Sequence, residues 1–122
     1  MGTPSIIIVD DNEDVRVATQ NLVESYGFDA RVFASAEAVL ESGDVEGAAC
    51  LVADVQMPGM GGFELHRALI ARGRRLPIVF ITAFPEARLR DEAVAVGALG
   101  FLSKPFEAAA LIECVEAALG RP

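Results

Sequence analysis

The sequence predicts an α/β fold, a single five-stranded parallel sheet wound on both faces by five helices. Two observations carry that prediction. Short apolar runs alternate with amphipathic stretches from one end to the other, with no repeat, linker or low-complexity segment between them. Three of the runs, Ile6-Ile7-Ile8-Val9, Leu51-Val52-Ala53 and Ile78-Val79-Phe80-Ile81, are apolar without interruption, as strands buried on both faces must be.

Each element follows from its residues. Residues 5–10 read as the first buried strand. Residues 13–26 follow as a helix, with Val15, Ala18, Leu22 and Tyr26 at helical spacing and Asn12 placed to cap it. Gly27 punctuates. Residues 28–33 alternate, Phe28, Ala30 and Val32 against Asp29 and Arg31, as an edge strand does. Ser35 opens a short helix through Leu40, ended by Ser42-Gly43. The third strand is 49–54. A loop carrying Pro58, Gly59, Gly61 and Gly62 leads to a helix over 63–72. Pro77 opens the fourth strand, 78–82. Residues 86–96 read as helix, stopped by Gly97. The fifth strand is 100–103, and 106–119 form the last helix, with Ala108, Leu111, Ile112, Val115 and Leu119 on one face. Right-handed crossovers, central strands one, three and four and an edge strand two favour the flavodoxin-like order 2-1-3-4-5.

Composition narrows the function. The 122 residues suit one domain, and 52% hydrophobic with 23% charged residues describes a compact chain. A formal net charge of −8 argues against nucleic acid as a direct partner, because phosphate contacts need clustered Lys and Arg. Arg67, Arg72, Arg74 and Arg75 come nearest to a cluster, and helix-end electrostatics explains them. No apolar run approaches the roughly 20 residues of a membrane span, no signal sequence opens the chain, and a cytoplasmic location is expected. Cys50 and Cys114 fit neither a disulfide framework nor a zinc spacing and read as buried structural thiols.

The chemistry gathers where strands end. In an open parallel sheet the carboxyl ends of the strands converge on the crevice where ligands bind. Here they deliver Asp10 and Asp11, Asp54, Thr82 and Lys104. Two carboxylates about 4 Å apart repel by about 4 kcal/mol at an effective dielectric near 20. A hard divalent cation removes that cost, and Mg²⁺ binds through one or two carboxylates plus phosphate oxygens. The bland reading of Asp10-Asp11 is a helix cap, and Asp54 on the neighbouring strand shifts the balance towards metal. Asp54 itself suits a metal ligand, a nucleophile that takes a phosphoryl group, or both. Thr82 offers a hydroxyl donor and Lys104 an ammonium for a phosphoryl oxygen. His66 falls inside the third helix, away from this edge. Gly59-x-Gly61 lacks the third glycine of a dinucleotide turn, since Glu64 stands there.

Four segments, Val9-Asp10-Asp11-Asn12-Glu13, the stretch from Asp54 through Gln56-Met57-Pro58 to Gly62, Ile81-Thr82-Ala83 and Lys104-Pro105-Phe106, together resemble the receiver domain of bacterial two-component response regulators. The resemblance covers essentially the whole chain, and receivers of nitrogen-fixation-type and LuxR-type regulators look most similar. It implies a phosphoacceptor at Asp54 and Mg²⁺ held by Asp11, Asp54 and the Gln56 carbonyl, with Asp10 acting partly through water. It further implies phosphoryl contacts from Thr82 and Lys104, a cis peptide before Pro105, and an aromatic switch at Phe101. Gln56 and Phe84 fall at variable positions that tune phosphoryl lifetime. Phe84 could shield the site or meet a partner.

These implications set the functional expectation. A sensor histidine kinase or phosphotransfer protein would supply the phosphoryl group, and the chain would assist its own phosphorylation and dephosphorylation without acting on a separate substrate. Two readings of 86–119 stay open: a phosphorylation-promoted homodimer with Arg88 and Arg90 facing Glu107, Glu113 and Glu116 across a two-fold axis, or solvated charges with no pairing role. Residues 1–122 are expected to be one receiver domain with no output domain, either a stand-alone regulator or a piece of a transcription factor. Two rivals stay open. A haloacid-dehalogenase-type phosphohydrolase also uses an Asp nucleophile on an α/β sheet, but it wants a carboxylate where Gln56 stands, and a cap domain. A pure interaction module with a dead site would not need Asp11, Asp54, Thr82 and Lys104 together.

Overall fold

A computed structural model describes residues 3–120, so the outermost two positions at each end of the expected 1–122 domain lie outside the described residues. In chain order the elements are β1 (Ser5–Val9), α1 (Glu13–Ser25), β2 (Asp29–Phe33), α2 (Ala36–Ser42), a 3₁₀ turn (Asp44–Gly47), β3 (Ala48–Asp54), α3 (Gly62–Ala71), β4 (Ile78–Thr82), α4 (Ala87–Ala95), β5 (Gly100–Ser103) and α5 (Ala108–Ala118). The strands form one sheet in the order β2-β1-β3-β4-β5, and every pairing is parallel. This is the flavodoxin-like arrangement that the uninterrupted apolar runs predict. No described helix is long and apolar enough to cross a membrane.

Alternation along each strand splits the core into two layers. Ile7, Val9, Leu51, Ala53 and Phe80 face α2, α3 and α4, where they meet Val39, Leu65, Leu69 and Leu89. Ile6, Ile8, Cys50, Val52, Val79 and Ile81 face α1 and α5, where they meet Val23, Leu111, Ile112 and Val115. Caps fall where the sequence placed them. The Asn12 side chain accepts from the Val15 amide at 3.1 Å, and the Ser35 hydroxyl accepts from the Ala38 amide at 3.2 Å. The expected boundaries differ by a residue or two at helix ends, where the first and last turns lack intrahelical partners. Differences of two residues fall at α2, which runs on past Leu40 to Ser42, and at α5, which starts at Ala108 rather than at 106, after an extended Glu107.

The 3₁₀ turn was not foreseen. Its residues, Asp-Val-Glu-Gly, carry no helical periodicity, and Val45 alone is buried. Nor are the arginines merely helix-end charges. Arg67 reaches Glu92 on α4 at 3.1 Å, Arg72 donates to the Leu40 carbonyl at the end of α2 at 3.3 Å, and Arg74 pairs with Glu46. They bridge α3 to its neighbours, at sequence distances no local pattern could reveal. The thiols also divide: Cys50 is buried and its pKa is pushed up to about 12 by that burial, whereas Cys114 is only half-buried.

Register decides what reaches the crevice. Val9 pairs with Ala53 and Asp54 with Ile81, so Asp10 emerges beside Asp54. The ladder runs on past the strands through Asp10 N to Phe33 O (3.2 Å), Val55 N to Ile81 O (2.8 Å) and Lys104 N to Thr82 O (2.8 Å). The β3–α3 loop then turns tightly back onto the strand end. A Cβ added at Gly62 would lie 2.6 Å from the Asp54 carbonyl oxygen and 3.3 Å from the Phe80 ring. Gly62→Ala therefore has to push α3 off β3. The expected cost is about 1–3 kcal/mol, as for other overpacked sites, and thermal denaturation should show the melting temperature falling by roughly 4 °C per kcal/mol.

Candidate functional site

The site is a charge cluster set into the carboxyl edge of the sheet. Asp10 and Thr82 are fully buried and Asp54 is 4% exposed, while Asp11, the next residue, faces solvent. Lys104 bridges the two buried acids, its Nζ 2.9 Å from Asp10 Oδ2 and 2.9 Å from Asp54 Oδ2, with 16% of its side chain exposed. The remaining carboxylate oxygens are met by backbone amides. Asn12 N donates to Asp10 Oδ1 at 2.8 Å, and Gln56 N donates to Asp54 Oδ1 at 3.1 Å. The Lys104–Pro105 peptide is cis.

Asp10 Oδ2 is the unusual atom. It is buried and lies within ion-pair distance of Lys104, yet no donor is aligned to give it a hydrogen bond. With only the Lys104 charge beside it, that oxygen keeps a lone pair open for a cation. One carboxylate oxygen each from Asp10, Asp11 and Asp54 lies within 4.8 Å of the others, close enough to share a metal ion. An all-oxygen donor set suits a hard divalent cation, so the residues fit the Mg²⁺ that the sequence leads one to expect.

Thr82 presents its hydroxyl on the same edge. Its Oγ1 donates to Gln56 Oε1 at 2.9 Å and accepts from the Phe84 amide at 3.0 Å. Phe101, on β5 next to Phe80, packs against the α2–α4 layer of the core, and the Arg90 guanidinium sits 5.1 Å above its ring. Phe84 is 61% exposed.

Asp10, Asp11, Asp54, Gln56, Thr82, Lys104 and Pro105 are thus gathered in one place, with Phe101 on the neighbouring strand. Two contributors were missed. Arg16 Nη1 donates to the Asp10 carbonyl at 2.8 Å, and helical spacing from Asn12 could have suggested its reach. Glu37 accepts from the Met60 amide at 3.2 Å, tying α2 to the loop after Asp54; with 23 residues between them, no local signal marks it. The Gln56 side chain, at a position expected to tune phosphoryl lifetime, accepts from the Thr82 hydroxyl.

A parallel α/β sheet whose carboxyl edge carries three acids, a hydroxyl and a lysine defines an Asp-centred site with the donor set of a hard cation. Comparison with known proteins gives the family. The sequence matches the family described as Response regulator receiver domain over residues 6–116, and the chain belongs to that family. It is a family of signalling switches in two-component systems, which removes the phosphohydrolase alternative. Among curated relatives, the transcriptional regulatory protein FixJ of Azorhizobium caulinodans is 40% identical over 114 residues, which are 93% of this chain and 54% of FixJ. The transcriptional regulatory protein TdiR of Thauera aromatica is 37% identical over 115 residues, 94% of this chain and 51% of TdiR. The chain therefore spans about half the length of these relatives. The crystal structure of FixJ-N superposes with a TM-score of 0.87 at 36% identity, covering 100% of this chain and 98% of that one. The response regulator StyR gives 0.89 at 41% identity, covering 98% and 60%.

The electrostatics of the cluster can be tested directly. Burial pushes the Asp54 carboxyl above its ordinary range; Lys104 pulls against it and the Asp10 charge adds to it. Burial also works to lower the Lys104 pKa, and its close contacts with the Asp10 and Asp54 carboxylates more than offset it. A carboxyl raised on folding costs nothing while protonated in both states. It subtracts stability as pH rises from the ordinary Asp range through the folded-state value. Asp54→Asn should then melt higher than wild type at neutral pH without divalent metal, with the gap closing towards pH 3. Melts across pH 3–7 in chelator provide the check, and a gap that widens on acidification would contradict this origin.

Proposed function

We propose that the chain is a phosphorylation-switched receiver in which Asp54 accepts a phosphoryl group from the phosphohistidine of a sensor kinase or phosphotransfer protein. The observation that carries this reading is the Asp54 carboxylate, almost wholly buried at the sheet edge, with Lys104 Nζ at 2.9 Å and Asp10 beside it. A nucleophile in a phosphoryl transfer needs positioning and charge neutralisation above all. Family membership supports the same reading.

In the proposed reaction an Asp54 carboxylate oxygen forms a bond to phosphorus as the P–N bond of the donor imidazole breaks, and the imidazole departs with the bonding electrons. The product is an acyl phosphate. Bound Mg²⁺, held by Asp11, Asp54 and the Gln56 carbonyl with Asp10 partly through water, would neutralise phosphoryl and carboxylate charge. Lys104 is already aimed at the carboxylate and has only to move its ammonium to a phosphoryl oxygen. Thr82 supplies a hydroxyl to another. Attack of water on the acyl phosphate releases phosphate and restores Asp54, so the chain assists both halves of its cycle and has no separate substrate. An apolar groove lined by Val15, Ala18, Leu22, Pro105 and Phe106 opens beside Lys104. It is a surface a phosphodonor protein would cover in reaching Asp54.

Labelling with radioactive acetyl phosphate and Mg²⁺ tests the assignment. Asp54→Asn should lose essentially all of the label, because the attacking carboxylate oxygen is gone, while keeping the wild-type circular dichroism. Stoichiometric label on another residue of that variant would defeat the reading.

The output we propose is a change of partner surface, with Thr82 and Phe101 moving together, in a single receiver domain acting in the cytoplasm. Because the relatives that share this domain are named as transcriptional regulators and are about twice as long, control of transcription belongs to a protein larger than the stretch compared. Pairing of two copies through 86–119 would set Arg88 and Arg90 against Glu107, Glu113 and Glu116. Within one protomer Arg88 pairs with exposed Glu86 at 3.0 Å and Arg90 lies on Phe101, so the intersubunit pairs would have to compete with these. Exposed ion pairs are worth about 0–1 kcal/mol each and are screened by salt. Light scattering with beryllofluoride and Mg²⁺ should show a dimer at low salt that weakens at high salt, and a monomer at hundreds of micromolar under both would exclude it.

A further inference from the structure

We propose that the Gln56 side chain is the positioning residue that holds the resting state, by occupying the one proton Thr82 has to give. This rests on the phosphoacceptor reading of Asp54 and goes beyond it. A threonine hydroxyl has a single donor hydrogen. Here it is committed: Oγ1 donates to Gln56 Oε1 at 2.9 Å, while its acceptor side is taken by the Phe84 amide at 3.0 Å. With Gln56 in place Thr82 is fully buried, so no water competes for that hydrogen at rest. The hydroxyl must therefore leave Gln56 before it can serve a phosphoryl oxygen on Asp54.

Two further facts make Gln56 suited to this. It is exposed, so its released amide is solvated at once and the release leaves no unsatisfied group behind on that side. Its backbone amide donates to Asp54 Oδ1 at 3.1 Å, so one residue touches both the carboxylate and the hydroxyl. Converting the carboxylate to an acyl phosphate removes its charge and weakens the charge-assisted hydrogen bond that holds the Gln56 backbone. The restraint loosens at the residue where the phosphoryl group arrives. Thr82 exchanges one acceptor for another, and Gln56 sets how strongly the exchange is opposed.

Beryllofluoride affinity in saturating Mg²⁺ reads the restraint. Gln56→Ala is expected to bind roughly two- to tenfold tighter than wild type, the factor equivalent to one net hydrogen bond. In a Thr82→Val background, Gln56→Ala should leave the affinity unchanged, because there is no hydroxyl to release; in a Thr82→Ser background the gain should persist. This double-mutant cycle separates a restraint on Thr82 from any direct effect of residue 56 on the phosphoryl site. Should Thr82→Val not fold, nuclear magnetic relaxation of the wild-type Gln56 side-chain amide decides: ordered when free, mobile with beryllofluoride. Unchanged or weaker binding by Gln56→Ala overturns the proposal. So does an equal gain with Val at position 82, or an amide equally ordered in both states. If wild type binds no beryllofluoride at all, the phosphoacceptor reading fails, and the restraint with it.

Discussion

Lys104 stands between two buried carboxylates, and most of the site depends on that contact. Asp10 and Asp54 lie at the end of adjacent central strands with almost no access to water. Unpaired, they would repel each other across a medium far less polarisable than solvent. One ammonium at 2.9 Å from each reduces the cluster to a single excess negative charge, without counting the exposed Asp11. That residual charge, together with an Asp10 oxygen lacking an aligned donor, leaves the cluster electrically incomplete. A divalent cation would complete it, and an incoming phosphoryl group would bring the anion that Lys104 can then turn to.

The fold serves this cluster by register. Parallel pairing carries Val9 beside Ala53 and Asp54 beside Ile81, and the hydrogen bond from Lys104 N to Thr82 O extends the ladder one step past β5. Behind the cluster, Phe80 is fully buried with Phe63 at 4.4 Å between ring centroids, so the strands cannot slide without disturbing a packed core. The close approach of Gly62 to the Asp54 carbonyl holds the loop on top. The two residues proposed to move, Thr82 and Phe101, are each held by a side-chain contact. Thr82 is restrained by Gln56, and Phe101 by the Arg90 guanidinium over its ring, a contact worth about 0.5–1 kcal/mol at an exposed site. Restraints that weak are suited to being exchanged, and two packings of one element are how a local change becomes a change of surface.

Much of this was legible in the residues themselves. Uninterrupted apolar runs identify β1, β3 and β4 because a strand covered on both faces has no polar positions, and polar residues at their ends mark the crevice because buried strands end where water begins. Asp10, Asp54, Thr82 and Lys104 could be named on those grounds, and caps such as Asn12 and Ser35 on local hydrogen bonding. Tertiary structure alone decided the contacts between distant positions. Arg67 finds Glu92, Arg72 finds Leu40, Glu37 finds Met60 and Gln56 finds Thr82 across 23 to 32 residues. A long polar side chain carries no periodicity, and its partner is set by how helices lie on the sheet. The sequence by itself thus determined which elements form and which chemistry meets at their ends. Only the packed fold decided which hydrogen bonds hold that chemistry at rest, because those bonds depend on distances that no spacing along the chain encodes.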